Sequence, residues 1–127
     1  MIRTHAPVDH AERPFITRFL QPLRALAQSL SPTEPTVPVI SNRDGEEVSE
    51  GREILNRIVN QIANPVRWDL CMERLASLGV TGVIEVAPAG TLVGLIKRAV
   101  PTMEQFALKS PADIDAAREF AATHGGI

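Results

Sequence analysis

Few side chains in this sequence are of a kind that does chemistry, and their settings decide what each could do. The one cysteine, Cys71, recurs at helical spacing with Val66, Leu70, Leu75 and Leu78. A thiol on such a face is more often a small buried hydrophobe than a reactive group. A single cysteine also excludes an internal disulfide and a cysteine-based zinc site. His5 and His10 lie in a polar terminus without periodicity and read as solvated residues. Ala87-Pro88-Ala89-Gly90 joins an expected strand to an expected helix, where backbone N–H groups can cradle a phosphate. One glycine in a short loop makes that a weak signal. Lys97 and Arg98 could meet an acidic partner through surface charge, although two adjacent basic residues on a helix are ordinarily just solvated. Trp68, the only tryptophan, is expected in the core with an indole donor that needs a partner.

The elements that would position these residues follow from periodicity and punctuation. Phe19, Leu20, Leu23, Leu26, Ala27 and Leu30 recur at helical spacing as one apolar stripe. Pro22 lacks an amide donor, so the main helix is expected from about Gln21, with Phe15 to Leu20 a separate turn or short helix. After a linker around Ser31 to Pro35, Thr36 to Ile40 read as a short strand. Pro38 confines it to an edge or an irregular place. Asn42 to Gly45 have the chemistry of a turn. A second helix is expected from Glu50 to Ala63, with Ile54, Leu55, Ile58, Val59 and Ile62 on one face. Asn64 and Pro65 would then cap and start a third helix at once, ended by Gly79. Val80 to Val86 is the best strand candidate. It is followed by a turn, a helix from Thr91 to Ala99, a short strand from Phe106 to Lys109, and a last helix capped by Ser110 and Pro111. Alternating strands and helices predict an α/β fold with at least partly parallel strands. Three strands make a thin sheet, since parallel sheets are normally covered on both faces. The pattern reads as one end of a larger fold.

Composition sets the outer bounds. The chain has 127 residues, of which 44% are hydrophobic and 22% charged, an ordinary globular balance. A net charge of −2 points to neither a nucleic-acid nor a membrane partner. The longest apolar runs fall far short of the roughly 20 residues of a spanning helix. Residues 1–14 hold no apolar stretch of the kind a secretory leader needs. A reducing cytoplasm is the expected location.

Five stretches, taken together, resemble the malonyl-CoA:acyl carrier protein transacylase family. They are Phe15-Ile16-Thr17-Arg18-Phe19-Leu20, Val37-Pro38-Val39-Ile40-Ser41-Asn42, and Gln61-Ile62-Ala63-Asn64-Pro65-Val66-Arg67-Trp68. Then come Gly82-Val83-Ile84-Glu85-Val86-Ala87-Pro88-Ala89-Gly90-Thr91-Leu92 and Gly94-Leu95-Ile96-Lys97-Arg98. No single piece is specific, but five in register are. Their order and spacing are similar to the family's last third. The resemblance implies an α/β fold with a partial, mostly parallel sheet and flanking helices, the C-terminal part of the α/β-hydrolase-like large subdomain. Residues 1–14 would be a poorly patterned segment and 15–127 the acyltransferase portion.

The family's chemistry is acyl transfer. A serine attacks the malonyl thioester while a histidine takes its proton, backbone donors hold the oxyanion, and an arginine clamps the malonyl carboxylate. The serine elbow and the arginine lie upstream of everything matched here. The nearest substitute, Ser77-Leu78-Gly79, falls at a helix end and reads as a helix-terminal serine. The histidine belongs to a Phe-His-Thr step that here reads Phe15-Ile16-Thr17. Ile16 thus occupies the base position, and isoleucine accepts no proton. Gln61 matches the family glutamine that helps orient that histidine. Partners implied by the resemblance are malonyl-CoA and acyl carrier protein, with an amino-terminal half or self-association to complete the fold, and no cofactor or metal. The expectation is a carboxy-terminal portion inactive by itself, as a fragment, one half of a split enzyme, or a non-catalytic remnant that binds a carrier protein or another chain.

Overall fold

The computed structural model describes residues 14–125, with the side chains of residues 14–17 outside that description. Residues 1–13, which include His5 and His10, also lie outside it. The chain forms two compact units, the first ending at Cys71 and the second beginning at Met72.

The first unit opens with α1, Pro14–Ser29, a single helix that runs through Pro22. The expected break at Gln21 does not occur. Pro22 and Arg18 are both exposed, so the carbonyl that loses its helical donor lies on the solvent side, where water can serve it. α2 spans Gly51–Gln61. The two helices meet through Leu20 and Ala27 of α1 and Val59 of α2, with Leu23, Leu55 and Ala63 packed around them. Arg52 fastens the end of α1 by donating to the carbonyls of Ala27, at 2.9 Å, and Leu30, a favourable place for a cation.

The apolar stripe of α1 is wider than the surface it buries. Leu20 and Ala27 face α2, whereas Phe19, Leu26 and Leu30 remain 65%, 58% and 48% exposed. Ile58 of α2 and Ile62 just beyond its end, expected on the packed face, are likewise exposed. They sit beside Val59 and Leu55 on the helical wheel, turned off the α1 contact.

Between the helices, β1 (Val39–Ile40) pairs antiparallel with β2 (Glu47–Val48), Val39 opposite Val48. The expected strand at Thr36 is cut to its last two residues, because Pro38 cannot donate to a ladder. The turn at Asn42 to Gly45 forms as expected. Gly45 has φ +73° and donates to the Ser41 carbonyl at 2.8 Å. A Cβ there would lie 2.7 Å from the Leu70 carbonyl oxygen.

Asn64 and Pro65 do not start the third helix. The Asn64 amide donates back to the Asn60 carbonyl at 2.6 Å, so it closes α2 instead. The Arg67 N–H is drawn to the Asn42 carbonyl at 2.8 Å. α3 therefore begins at Trp68 and runs to Ser77, with the unit boundary inside it.

In the second unit β3 (Gly82–Val86) and β4 (Glu104–Leu108) form a parallel pair in register Gly82 to Glu104 through Val86 to Leu108. They are joined by α4, Thr91–Ala99, a β-α-β unit as the alternation requires. α5, Ile114–His124, follows a single 3-10 turn at Pro111–Asp113. The Asp113 carboxylate holds that start by accepting from the Lys109 and Ser110 N–H groups at 3.1 and 2.8 Å. Phe120 stacks between Phe106 and His124, with ring centroids 5.7 and 4.4 Å away. Gly82 is required here by proximity, since a Cβ would come within 2.5 Å of the His124 ring.

Candidate functional site

The residue carried furthest by the sequence comparison, Gln61, closes α2 on the wall of a cleft of about 310 Å³. Val39, Val48, Ile54, Ile58 and Ile62 give the cleft its apolar lining, and Ser41, Asn42, Arg57 and Gln61 its polar edge. Gln61 is held firmly. Its side-chain amide donates to the carbonyls of Asn64 at 3.1 Å and Pro65 at 2.8 Å. Both neighbours are acceptors, so the nitrogen must face them and the carbonyl oxygen is left as a free acceptor. The bend that kept Asn64-Pro65 out of α3 is thus the same bend that orients Gln61.

Position 16 falls in the first turn of α1; the Ile16 side chain lies outside the described residues. Its relation to Gln61 therefore rests on the sequence match.

Arg57 is the cation of the cleft, and its charge is already spent. It donates to both Asp44 oxygens at 2.9 and 3.0 Å and to Glu53 at 2.7 Å. The Glu53 hydrogen bond is the main cause that lifts the guanidinium above its ordinary pKa. Burial pulls the Asp44 carboxyl upward, but the Glu46 N–H and the charges of Arg43 and Arg57 outweigh it and hold it low. With two carboxylates on its donors, Arg57 is not poised to clamp a substrate carboxylate. The sequence offered a partial signal for this cluster, Glu53 and Arg57 being four residues apart on one helix. Asp44 joins only through the turn.

The remaining candidates have structural settings. Cys71 is 2% exposed, with its sulfur against the Ser41 carbonyl and the Asn42 amide oxygen. Burial pushes its thiol pKa up, the opposite of activation. Ser77 donates to the Arg74 carbonyl at 2.8 Å, as a helix-terminal serine does. The Trp68 indole N–H is buried without the partner expected for it among the described residues.

The turn before α4 is filled by the chain's own carboxylate. Glu85 accepts from the N–H groups of Gly90, Leu92 and Val93 at 2.8, 3.0 and 3.0 Å. The hydrogen bonds from Val93 and Leu92 lead the causes that hold its pKa low. The donors a phosphate would use are occupied, so the phosphate reading of Ala87 to Gly90 falls away. Lys97 and Arg98 stand exposed in the last turn of α4. Among the described residues no helix is long and apolar enough to cross a membrane, and no group of three side chains could hold a metal.

One unit holds a helix pair with a glutamine fixed at a cleft and the other a parallel β-α-β unit; both are parts of an α/β fold, and among the described residues no serine stands in a strand-to-helix elbow. No protein-family model matches the sequence, but individual proteins do. The malonyl CoA-acyl carrier protein transacylase of Mycobacterium tuberculosis (strain H37Rv) is 40% identical over 105 residues, which is 80% of this chain and 35% of that protein. The enzyme of the same name from Escherichia coli K12 is 41% identical over 85 residues, 67% of this chain and 28% of its own length. The crystal structure of the Mycobacterium tuberculosis protein superposes with a TM-score of 0.71, covering 76% of this chain and 32% of that one. A malonyl-transacylase in complex with a type II polyketide synthase acyl-carrier protein superposes at 0.70 with 30% identity, covering 79% and 32%. This chain belongs to the malonyl CoA-acyl carrier protein transacylase family and corresponds to its members' carboxy-terminal part. It spans about a third of the length of the curated relatives it matches.

Proposed function

We propose that the chain supplies the carboxy-terminal part of a malonyl-CoA:acyl carrier protein acyl-transfer domain and does not transfer malonyl groups alone. The observation that supports this is Gln61, whose amide is locked by the Asn64 and Pro65 carbonyls so that its free oxygen can only accept. In the reaction of its relatives that acceptor would fix the imidazole at position 16 by taking a hydrogen bond from it. Here the Ile16 side chain offers neither an N–H for that acceptor nor a lone pair for the serine proton, and no serine in the matched region stands in a strand-to-helix elbow. Malonyl-CoA and acyl carrier protein are the substrates of this reading, and a buried lone thiol suits a cytoplasmic setting.

The test is malonyl transfer from coenzyme A to carrier protein with the purified chain in excess. No turnover is expected, either from the native chain or from Ile16→His, because an imidazole without a nucleophile cannot start acyl transfer. Turnover on the order of 1 per second from either would overturn the proposal.

A second reading keeps the carrier-protein contact and drops the chemistry. Exposed Lys97 and Arg98 favour it, and salt-sensitive binding of carrier protein by the chain alone would select it.

A further inference from the structure

Asp44 is the only aspartate or asparagine in the sequence that is followed by glycine. That step is chemically labile. Glycine has no side chain to shield its amide nitrogen and little backbone restriction, so the nitrogen can reach the Asp44 Cγ. The nitrogen gives up its proton and bonds to Cγ, and the carboxyl OH departs with that proton as water, closing a succinimide. Water then reopens the ring. Attack at the Asp44 main-chain carbonyl carbon breaks its bond to nitrogen and leaves an isoaspartyl link, in which the main chain runs through Cβ and Cγ. The net change is an isomerisation, with one water lost and one regained.

The fold restrains both reacting groups. The Gly45 N–H donates to the Ser41 carbonyl at 2.8 Å, which holds the proton the nitrogen must lose. The Asp44 carboxylate accepts from Arg57 at 2.9 and 3.0 Å, from the Arg43 Nε at 2.9 Å and from the Glu46 N–H at 3.1 Å. These contacts keep it charged against the pull of burial, and only the protonated carboxyl can release water. Of the two arginines, Arg57 is the more enclosed, its side chain 18% exposed against 55% for Arg43. An exposed pair contributes little, so the restraint falls chiefly to Arg57. We infer that Asp44-Gly45 is a modification site, an isoaspartate-forming step that Arg57 holds shut in the folded chain. The extra main-chain atom would not fit the turn. Gly45 already lies against Leu70, where a Cβ would come within 2.7 Å of the carbonyl oxygen. The Ser41 carbonyl and Asn42 amide oxygen of the same turn rest on the Cys71 sulfur.

The experiment incubates the full chain at neutral pH and follows isoaspartate at position 44 by electron-transfer fragmentation mass spectrometry. The native chain in buffer is compared with the native chain unfolded in urea, and with Arg57→Gln and Val59→Ala in buffer. Val59→Ala weakens the α1–α2 core, to which its side chain belongs, and circular dichroism confirms which variants are folded. The urea-unfolded chain and Arg57→Gln should each isomerise roughly tenfold faster than the native fold, the scale of a lost hydrogen bond to a charged group. Val59→Ala should stay near the native rate. Equal rates in the folded and urea-unfolded native chain would overturn the inference, and that comparison holds even if Arg57→Gln does not fold. So would a folded Arg57→Gln no faster than native. A folded Val59→Ala as fast as Arg57→Gln would also overturn it, by tracing the protection to global stability and not to the pair.

Discussion

Gln61 spends both amide protons on backbone carbonyls, and Glu85 spends its carboxylate on three backbone N–H groups. In both cases a side chain tidies a bend that the main chain makes around a proline. Glu85 leads to a prediction with a defined sign. Hydrogen bonds from Val93 and Leu92, with that from Gly90, lower its pKa. A carboxylate stabilised in the folded state contributes fully above its unfolded value of roughly 4.3, and that contribution is lost as pH falls through the lower folded value. Glu85→Gln puts an NH2 group against N–H donors and should lower the thermal midpoint at neutral pH. At acid pH below the lowered folded value, where the native carboxyl is protonated, the two chains should converge. Melting curves at both pH values check this, and an equal gap at both would refute it. The Gln61 match was legible in the sequence, whereas its anchoring was not, because the two carbonyls arrive only through the fold of the Asn64-Pro65 bend.

Elements whose boundaries are written in local chemistry came out close to expectation. α4 spans Thr91–Ala99 as its periodicity and Gly90 required, and α2 lies within the expected helix. Those settled by distant contacts did not. Glu47 and Val48 carry no alternation to announce β2, which exists because Val39 and Ile40 lie opposite. The start of α3 is delayed by a bond from Arg67 to Asn42, twenty-five positions away in sequence. The width of the α1 stripe was visible, but not that only part of it would be buried. In the second unit the packing of α5 on β3 is close enough to predict a cost. Gly82→Ala sets a Cβ 2.5 Å from His124 and should destabilise by about 1–3 kcal/mol, as overpacking does. In a His124→Ala background the ring is gone and the loss should shrink. Urea unfolding of the four chains measures the coupling; equal losses in both backgrounds would show that the close approach carries no strain.

On the scale of the molecule, the described residues show more large apolar side chains exposed than buried. Unpaired sheet edges and apolar patches favour association. Without a partner the chain should therefore self-associate, and light scattering over a range of concentrations should show its mean mass rising. A constant monomeric mass with a sharp thermal transition would argue that these surfaces are content in water. The helix pair that carries the cleft is, by contrast, well secured. Arg52 grips the end of α1 through the carbonyls of Ala27 and Leu30, and Glu34 takes the Gly51 N–H at 2.9 Å. These bonds close the base of the stretch from Ser31 to Glu50, so covalent continuity through it is redundant for holding α1 beside α2. A protease nick at exposed Thr36 to Pro38 would leave both helices seated, and extra residues spliced in there would add only loop entropy, about 0.6 kcal/mol for each doubling of length. Thr36 to Pro38 can lengthen or break while α1 stays beside α2.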